Sequence, residues 1–424
     1  MSQQNQGNRW LIAIMGTVLQ LVLGTVYAWS FFQKPIMAQF GWTNQQVMWI
    51  FSMAICFLGL AAAWGGMNLP KYGPKKLATL GVILYGAGYL IGSWAMTMKS
   101  LPIFYLGYGV VGGIGLGLGY VTPVATAAKW FPDKKGFITG MVVMGFGLGA
   151  LIMSKIIAPA VMSMVDNQII VSFVYIGVIL LILGLPAALC MKNPPAGYVP
   201  AGFTPPVQSA ASKSSEDAMT ARSAILSGKF ARMWLIFFFN ITAGIMFIGL
   251  QSPMLQDILK TKNPTMDTAA LAAAGATLIA ISSLFNGIGR FFWGGTSDRI
   301  GRIQTFRLIL GSQVIVFAAL TMIGSPWLFG ILVCYVLLCY GGGFGTMPSF
   351  VLDVFGARLM PVVYGTILTA WSAGGIVGPQ IASFIRDRFP ESAGTYTFTT
   401  GAIILALGVI FAFTLNNKPL AEKA

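Results

Sequence analysis

Ile281-Ser-Ser-Leu-Phe-Asn286-Gly-Ile-Gly-Arg290-Phe-Phe-Trp293-Gly-Gly-Thr-Ser-Asp298-Arg299-Ile-Gly301-Arg302 is the stretch whose reading decides the fold. One arginine, Arg290, sits deep in an apolar run, and the run ends in a compact charged turn. On insertion scales a cation inside a membrane helix costs about 2.5–3.5 kcal/mol. Eight residues separate Arg290 from Asp298, which is about 12 Å along a helix. That is a long way for a guanidinium to snorkel, so Arg290 is expected near mid-depth, and an anionic ligand would account for its cost.

Outward from this stretch the whole chain is apolar. Hydrophobic residues make up 56% of the 424 and charged residues 9%, against roughly 25% charged in soluble proteins. Twelve apolar segments lie near 10–32, 46–69, 77–97, 102–128, 137–159, 168–191, 233–254, 269–296, 304–324, 327–350, 361–384 and 397–415. Each is long enough to cross a bilayer as a helix. The expected fold class is therefore all-α and integral to the membrane, with 12 transmembrane helices. The polar N-terminus lacks the basic start and small-residue cleavage site of a signal peptide. The long polar stretch, Lys192 to Phe230, reads as a linker with a short surface helix near 216–227. The expected division is 1–191 as one six-helix bundle, 192–230 as a cytoplasmic linker and 231–424 as a second bundle.

The net charge of +15 does not point to nucleic acid, because the basic residues are spread over short loops. With both termini on one side, 18 of the 26 Lys and Arg fall on that side and 7 on the other, with Arg290 between. Positive residues collect in the cytoplasm. Both termini are expected there, in a multi-pass protein of the plasma or inner membrane. Cys56, Cys190, Cys334 and Cys339 form no Cys-x-x-Cys pair and the chain has no histidine. No metal site, cofactor or catalytic residue is expected.

The halves repeat. Gly66-Met-Asn-Leu-Pro70-Lys71-Tyr-Gly73 follows the second segment, and Gly294-Gly-Thr-Ser-Asp298-Arg299-Ile-Gly301 follows the eighth, 228 residues later. Tyr120-Val-Thr-Pro123 and Gly345-Thr-Met-Pro348 match at an offset of 225. Parallel six-helix repeats place a binding site between them near the midplane. The counterpart of Arg290 in the first half is Ala62. The repeated scaffold does not need a cation there.

Gly-x-x-x-Asp-Arg-x-Gly-Arg at 294–302 resembles the loop motif of the major facilitator superfamily. The first-half copy has Pro70 where the motif has aspartate, which removes any gating salt bridge that aspartate would make. A finer resemblance is to the oxalate/formate antiporter branch and related monocarboxylate transporters. It rests on Val26-Tyr27-Ala-Trp29-Ser, Lys129-Trp-Phe-Pro-Asp133-Lys-Lys-Gly136, Phe285-Asn286-Gly-Ile-Gly-Arg290, Tyr364-Gly365 and Asn193-Pro-Pro-Ala-Gly-Tyr198. It implies two six-helix bundles that exchange or co-transport small carboxylates by alternating access.

The candidate substrate residues are Arg290, Tyr120, Tyr27, Asn286, Tyr340 and Trp371. A guanidinium offers a planar fork of donors matched to a carboxylate. Asn286 is one turn from Arg290 and shares its face. The resemblance implies that Tyr27, Tyr120 and Tyr340 line the cavity, whereas by residue type alone each is equally an aromatic at a helix interface. Trp371 stands where the oxalate transporter pattern has a lysine, so a second carboxylate would be left desolvated and unpaired. It too reads equally as a packing residue. Asp298, Arg299, Gly301 and Arg302 are read as a gating loop. No carboxylate is clearly inside the membrane. Proton coupling would need Asp257, at the outer end of the seventh helix, or a substrate that brings its own proton.

The expected function is proton symport of a small monocarboxylate of the lactate or pyruvate class, by a monomer in a lipid bilayer. Oxalate–formate exchange is the alternative, which Trp371 argues against. A non-transporting carboxylate sensor would want an output domain, and a membrane enzyme a nucleophile–base pair; the sequence offers neither.

Overall fold

The computed structural model describes residues 8–195, 197–200, 202–203 and 219–416. Among these residues there is no strand, and twelve helices are long and apolar enough to cross a membrane. They are α1 (Arg9–Phe40), α2 (Asn44–Tyr72), α3 (Pro74–Thr97), α4 (Leu101–Trp130), α5 (Phe137–Met164), α6 (Ile169–Leu189), α7 (Gly228–Lys262), α8 (Thr268–Ile300), α9 (Arg302–Leu320), α10 (Pro326–Gly356), α11 (Arg358–Arg388) and α12 (Pro390–Phe413). A lone spanning helix meets all its internal backbone hydrogen bonds within itself, which is what a bilayer demands. The helices outrun the apolar segments that mark them. The seventh segment reads as 233–254 in the sequence, yet α7 continues to Lys262. Polar residues end an apolar run without ending a helix.

Local chemistry sets the helix starts. The Asn8 side chain accepts from the Trp10 and Leu11 N–H groups, Thr43 and Gln46 form a capping box, and Asp267 accepts from Ala270 N–H. The repeat is visible in the backbone. Gly73 ends α2 with φ +78° and Gly301 ends α8 with φ +88°, in a region that favours glycine. Neither has an atom within 4 Å of where a Cβ would stand. The conformation, and not crowding, demands glycine at both.

α1–α6 and α7–α12 form two bundles that meet chiefly along α2 against α11 and α5 against α8. Glycine permits both crossings. A Cβ on Gly59 would overlap Ser372, and one on Gly147 would stand 2.7 Å from Gly287 Cα. An even number of spans brings the chain back to the face on which it began, here called the terminal face. The charged turns lie on this face. Arg302 donates to Asp298 at 2.5 Å and to Asp353 at 2.9 Å. Pro70 replaces the aspartate in the first half, and the pair nearby on this face is Arg9–Asp133 at 2.9 Å. Arg299 is exposed, and Gly301 forms the turn.

Both ends of the polar linker are anchored. Trp130 Nε1 donates to the Lys192 carbonyl at 2.7 Å and its ring meets that of Tyr198. Arg358 donates to the Met219 carbonyl. A short helix occupies Ala221–Ile225, inside the expected 216–227. Residues 216–218 and most of the linker, 204–218, lie outside the described residues, as do 1–7 and 417–424.

Candidate functional site

Arg290 points from α8 into the seam between the bundles. Its helix can approach α10 closely because a Cβ on Gly289, Gly341 or Gly345 would collide with a facing backbone carbonyl. The last of these carbonyls belongs to Arg290 itself. The side chain is only 1% exposed. Its Nε, Nη1 and Nη2 have no hydrogen-bond partner. The guanidinium carbon lies 5.0 Å from the Phe344 ring centre and 5.9 Å from that of Phe146. Such contact stabilises a desolvated cation by about 2 kcal/mol, which offsets only part of its burial.

Both bundles contribute to the cage around it. Trp371 is fully buried, with ring centres 4.6 Å from Phe344, 5.1 Å from Tyr120, 5.5 Å from Phe146 and 6.2 Å from Tyr27. The Tyr27 and Tyr340 hydroxyls meet at 2.5 Å, joining α1 to α10 across the seam. A short 3-10 turn at Thr25–Ala28 interrupts α1 and carries Tyr27. The Tyr120 hydroxyl, the Tyr364 hydroxyl and Trp371 Nε1 are buried without partners. Among the described residues every carboxylate is exposed or only half-buried, so no acidic group balances Arg290 within the cage.

The structure thus gathers Arg290, Tyr27, Tyr120, Tyr340 and Trp371. Asn286 is buried on the same face of α8, but its Oδ1 has no partner and so does not bond the arginine. It lines a water-sized void with Tyr27, Gln251, Ser282 and Ser283. Sequence reasoning passes over Phe146 and Phe344 as site residues. Each is an aromatic set between glycines, in Gly145-Phe146-Gly147 and Gly343-Phe344-Gly345, and that pattern is the signal available.

On the terminal face a cavity of about 430 Å³ leads toward the cage, lined by Pro70, Val121, Lys129, Ser349, Met360 and Tyr364 among others. On the opposite face the bundles are bonded to each other, beside a second cavity of about 400 Å³ lined by Asn44, Asp257, Arg386 and Glu391 among others. Gln380 donates to Ser52 at 3.1 Å and Ser372 to the Cys56 carbonyl at 2.7 Å. Asp387 caps the start of α2, accepting from Asn44 Nδ2 and Gln45 N–H at 2.9 Å each. Asp257 accepts from Lys34 at 2.9 Å and also pairs with Arg386. A carboxyl within the membrane would suit a proton carrier, but Asp257 is half-exposed at this bonded rim and outside the cage. Exposed ion pairs contribute about 0–1 kcal/mol each. Asp257→Asn is therefore expected to loosen the rim moderately. Alkylation of a cysteine placed at Ser52, buried in this state, should speed up a few-fold.

Comparison with known proteins agrees with this architecture. A model of the Major Facilitator Superfamily matches residues 11–379. The chain is 25% identical over 426 residues to the oxalate:formate antiporter of Oxalobacter formigenes, covering 98% of this chain and 94% of that one. It is also 25% identical to apicoplast pyruvate carrier 1 of Toxoplasma gondii, covering 86% and 73% respectively. Among solved structures, a bacterial homologue of the human lysosomal transporter Spinster superposes with a TM-score of 0.68. That match has 16% identity and covers 98% of this chain and 97% of the other. Twelve helices in two bundles, a repeated charged turn and a family match over most of the length lead to one conclusion: the chain belongs to the Major Facilitator Superfamily of membrane transporters.

Proposed function

We propose that this protein is a secondary transporter of small organic anions, and that its cargo is a monocarboxylate of the lactate or pyruvate class. One observation carries the reading: a guanidinium 1% exposed, with no partner for any of its nitrogens, in an aromatic cage between two bundles. A bound carboxylate would supply the missing acceptors and make a net-neutral pair, which is cheaper to enclose than either ion alone. The relatives named as carriers of oxalate, formate and pyruvate support the chemical class. Trp371 in the cage wall supports a single negative charge, because one cation is present and an apolar ring stands opposite.

Transport follows by alternating access. The anion enters from the cavity on the terminal face, which we take as cytoplasmic, pairs with Arg290, and leaves when the far rim parts and the Tyr27–Tyr340 bond breaks. The same cycle run backward gives uptake. A proton can travel with the acid itself, or on Asp257, where neutralisation would release Lys34 and Arg386 and free the rim.

The test is uptake of radiolabelled lactate, pyruvate, formate and oxalate into proteoliposomes, with and without a pH gradient. Lactate or pyruvate uptake that an inward proton gradient accelerates is the expected result. Absence of transport for every acid would sink the proposal. The likeness to the oxalate:formate antiporter over 98% of the chain favours a second reading, one-for-one anion exchange. Oxalate outcompeting lactate, with uptake only into preloaded vesicles, would establish that reading instead.

A further inference from the structure

Ser283 of α8 reaches across the seam into the backbone of α5. Its hydroxyl donates to the Gly147 carbonyl at 2.6 Å, and the same oxygen accepts from the Leu151 N–H at 3.1 Å. Gly147 and Leu151 are four residues apart, so these two groups are the ends of one rung of the α-helical ladder. A side chain of one bundle thus takes a place between two backbone partners of the other. Ser283 is 4% exposed and lies seven residues before Arg290, about 10 Å nearer the opposite face and on the same side of α8. Glycine permits the reach, since α5 and α8 are in backbone contact where Gly147 meets Gly287. Just beyond the rung, α5 passes into a π-helical turn over Met153–Ile157. The neighbouring Ser282 stays within its own bundle, its hydroxyl 2.7 Å from Gln251 Oε1 and 3.1 Å from the Ile279 carbonyl.

A tie between two bundles ordinarily loses its bonds when the bundles part. Here both sides have a replacement at hand. Once Ser283 withdraws, the Gly147 carbonyl and the Leu151 N–H stand in helical register and can close their own rung. The freed hydroxyl lies four residues past the Ile279 carbonyl, where a serine or threonine hydroxyl back-bonds to its own helix. Thr277, Thr296 and Ser312 do so in this protein, at 2.8, 2.7 and 2.6 Å. The water-sized void beside Gly147 and Ser283 gives the hydroxyl room to turn. No buried polar group is then stranded with the seam joined or parted. Only the passage between the two states is costly, because both bonds to Ser283 must lengthen before the rung closes.

We propose that Ser283 is a kinetic latch on the seam between α5 and α8. By exchanging hydrogen bonds with the α5 backbone it slows parting and rejoining of the bundles equally and leaves the balance between the two states unchanged. Alanine at this position lets the rung stay closed throughout, so the barrier falls and the balance stays.

The latch presupposes the alternating motion proposed above but not the identity of the cargo, so a failure of lactate uptake leaves it standing. Cysteines at Met98 and Lys262, exposed on the opposite face in different bundles, carry a fluorophore pair, with the four native cysteines replaced by alanine. Single-molecule energy transfer in proteoliposomes, empty and with lactate, reads the dwell times of the joined and parted states. Ser283→Ala should shorten both dwell times by about three- to tenfold, the worth of one net hydrogen bond, and leave their ratio within about twofold. Ser282→Ala should leave both times within about twofold of the wild type. Two preserved efficiency levels show that a variant is folded. Shortening of the joined dwell alone makes Ser283 an ordinary tie and overturns the proposal. Unchanged times in Ser283→Ala, or equal shortening in Ser282→Ala, overturn it as well. So does a wild type that never passes between two levels, because the seam then does not part.

Discussion

Arg290→Lys is expected to weaken lactate binding by about a hundredfold, and Arg290→Met to abolish uptake while raising the melting temperature of the empty protein. The two effects have one cause. Removing one member of a buried, hydrogen-bonded charge pair costs about 2–5 kcal/mol, and each 1.4 kcal/mol is tenfold in affinity. Lysine keeps the charge but loses the planar fork that grips both carboxylate oxygens. Methionine keeps the volume and loses both. In the empty protein, however, the guanidinium has no hydrogen-bond partner, so its burial is largely uncompensated and its removal relieves the cage. Thermal unfolding with and without lactate reads both effects. The wild type should gain stability from lactate and the methionine variant should not. A methionine variant that melts lower than the wild type would mean that the arginine holds the fold together, and the carboxylate site would lose its main support.

Trp371→Lys is expected to exchange the cargo's charge. The ring is fully buried and touches the rings of Tyr27, Tyr120, Phe146 and Phe344. A lysine there would put a second cation in the same dry space as Arg290. The empty variant should therefore be less stable, by several degrees in melting temperature, because like charges repel strongly where water is excluded. Oxalate, with two carboxylates, pairs both cations and should restore stability by an amount that grows with the logarithm of its concentration above the dissociation constant. Lactate should bind about tenfold to a hundredfold more weakly, since it leaves one cation unpaired. Competition by oxalate and lactate against labelled lactate and labelled oxalate measures the change. If Trp371→Lys leaves the order of preference as in the wild type, the tryptophan packs the seam and has no part in setting charge.

These expectations show which parts of the site are legible in sequence. Arg290 is legible because a cation in an apolar run has a cost that must be met. The fold is legible for a similar reason, since twelve long apolar runs admit few structures in a bilayer. The twin glycines at 73 and 301 mark the repeat, and their shared positive φ shows what the repeat preserves. Tyr27, Tyr120, Tyr340 and Trp371 come from resemblance, because an aromatic in a membrane helix is ordinary. Phe146 and Phe344 stay hidden for that reason. Asn286 shares the face of Arg290, yet sharing a face does not create a bond. Asp257 is read as a carboxylate at a helix end, but its partners Lys34 and Arg386 are 223 and 129 residues away. Nothing local in the sequence pairs them.

The anchored ends of the linker have a mechanical consequence. Trp130 holds Lys192 and Tyr198 against the first bundle, and Arg358 holds Met219 against the second. The peptide between Tyr198 and Met219 has a fully extended reach of about 70 Å, far beyond any parting of two bundles in one bilayer. A tether of that length cannot by its reach limit how far the bundles part. Any parting must instead separate the backbones in direct contact at the glycine crossings of α2 with α11 and α5 with α8.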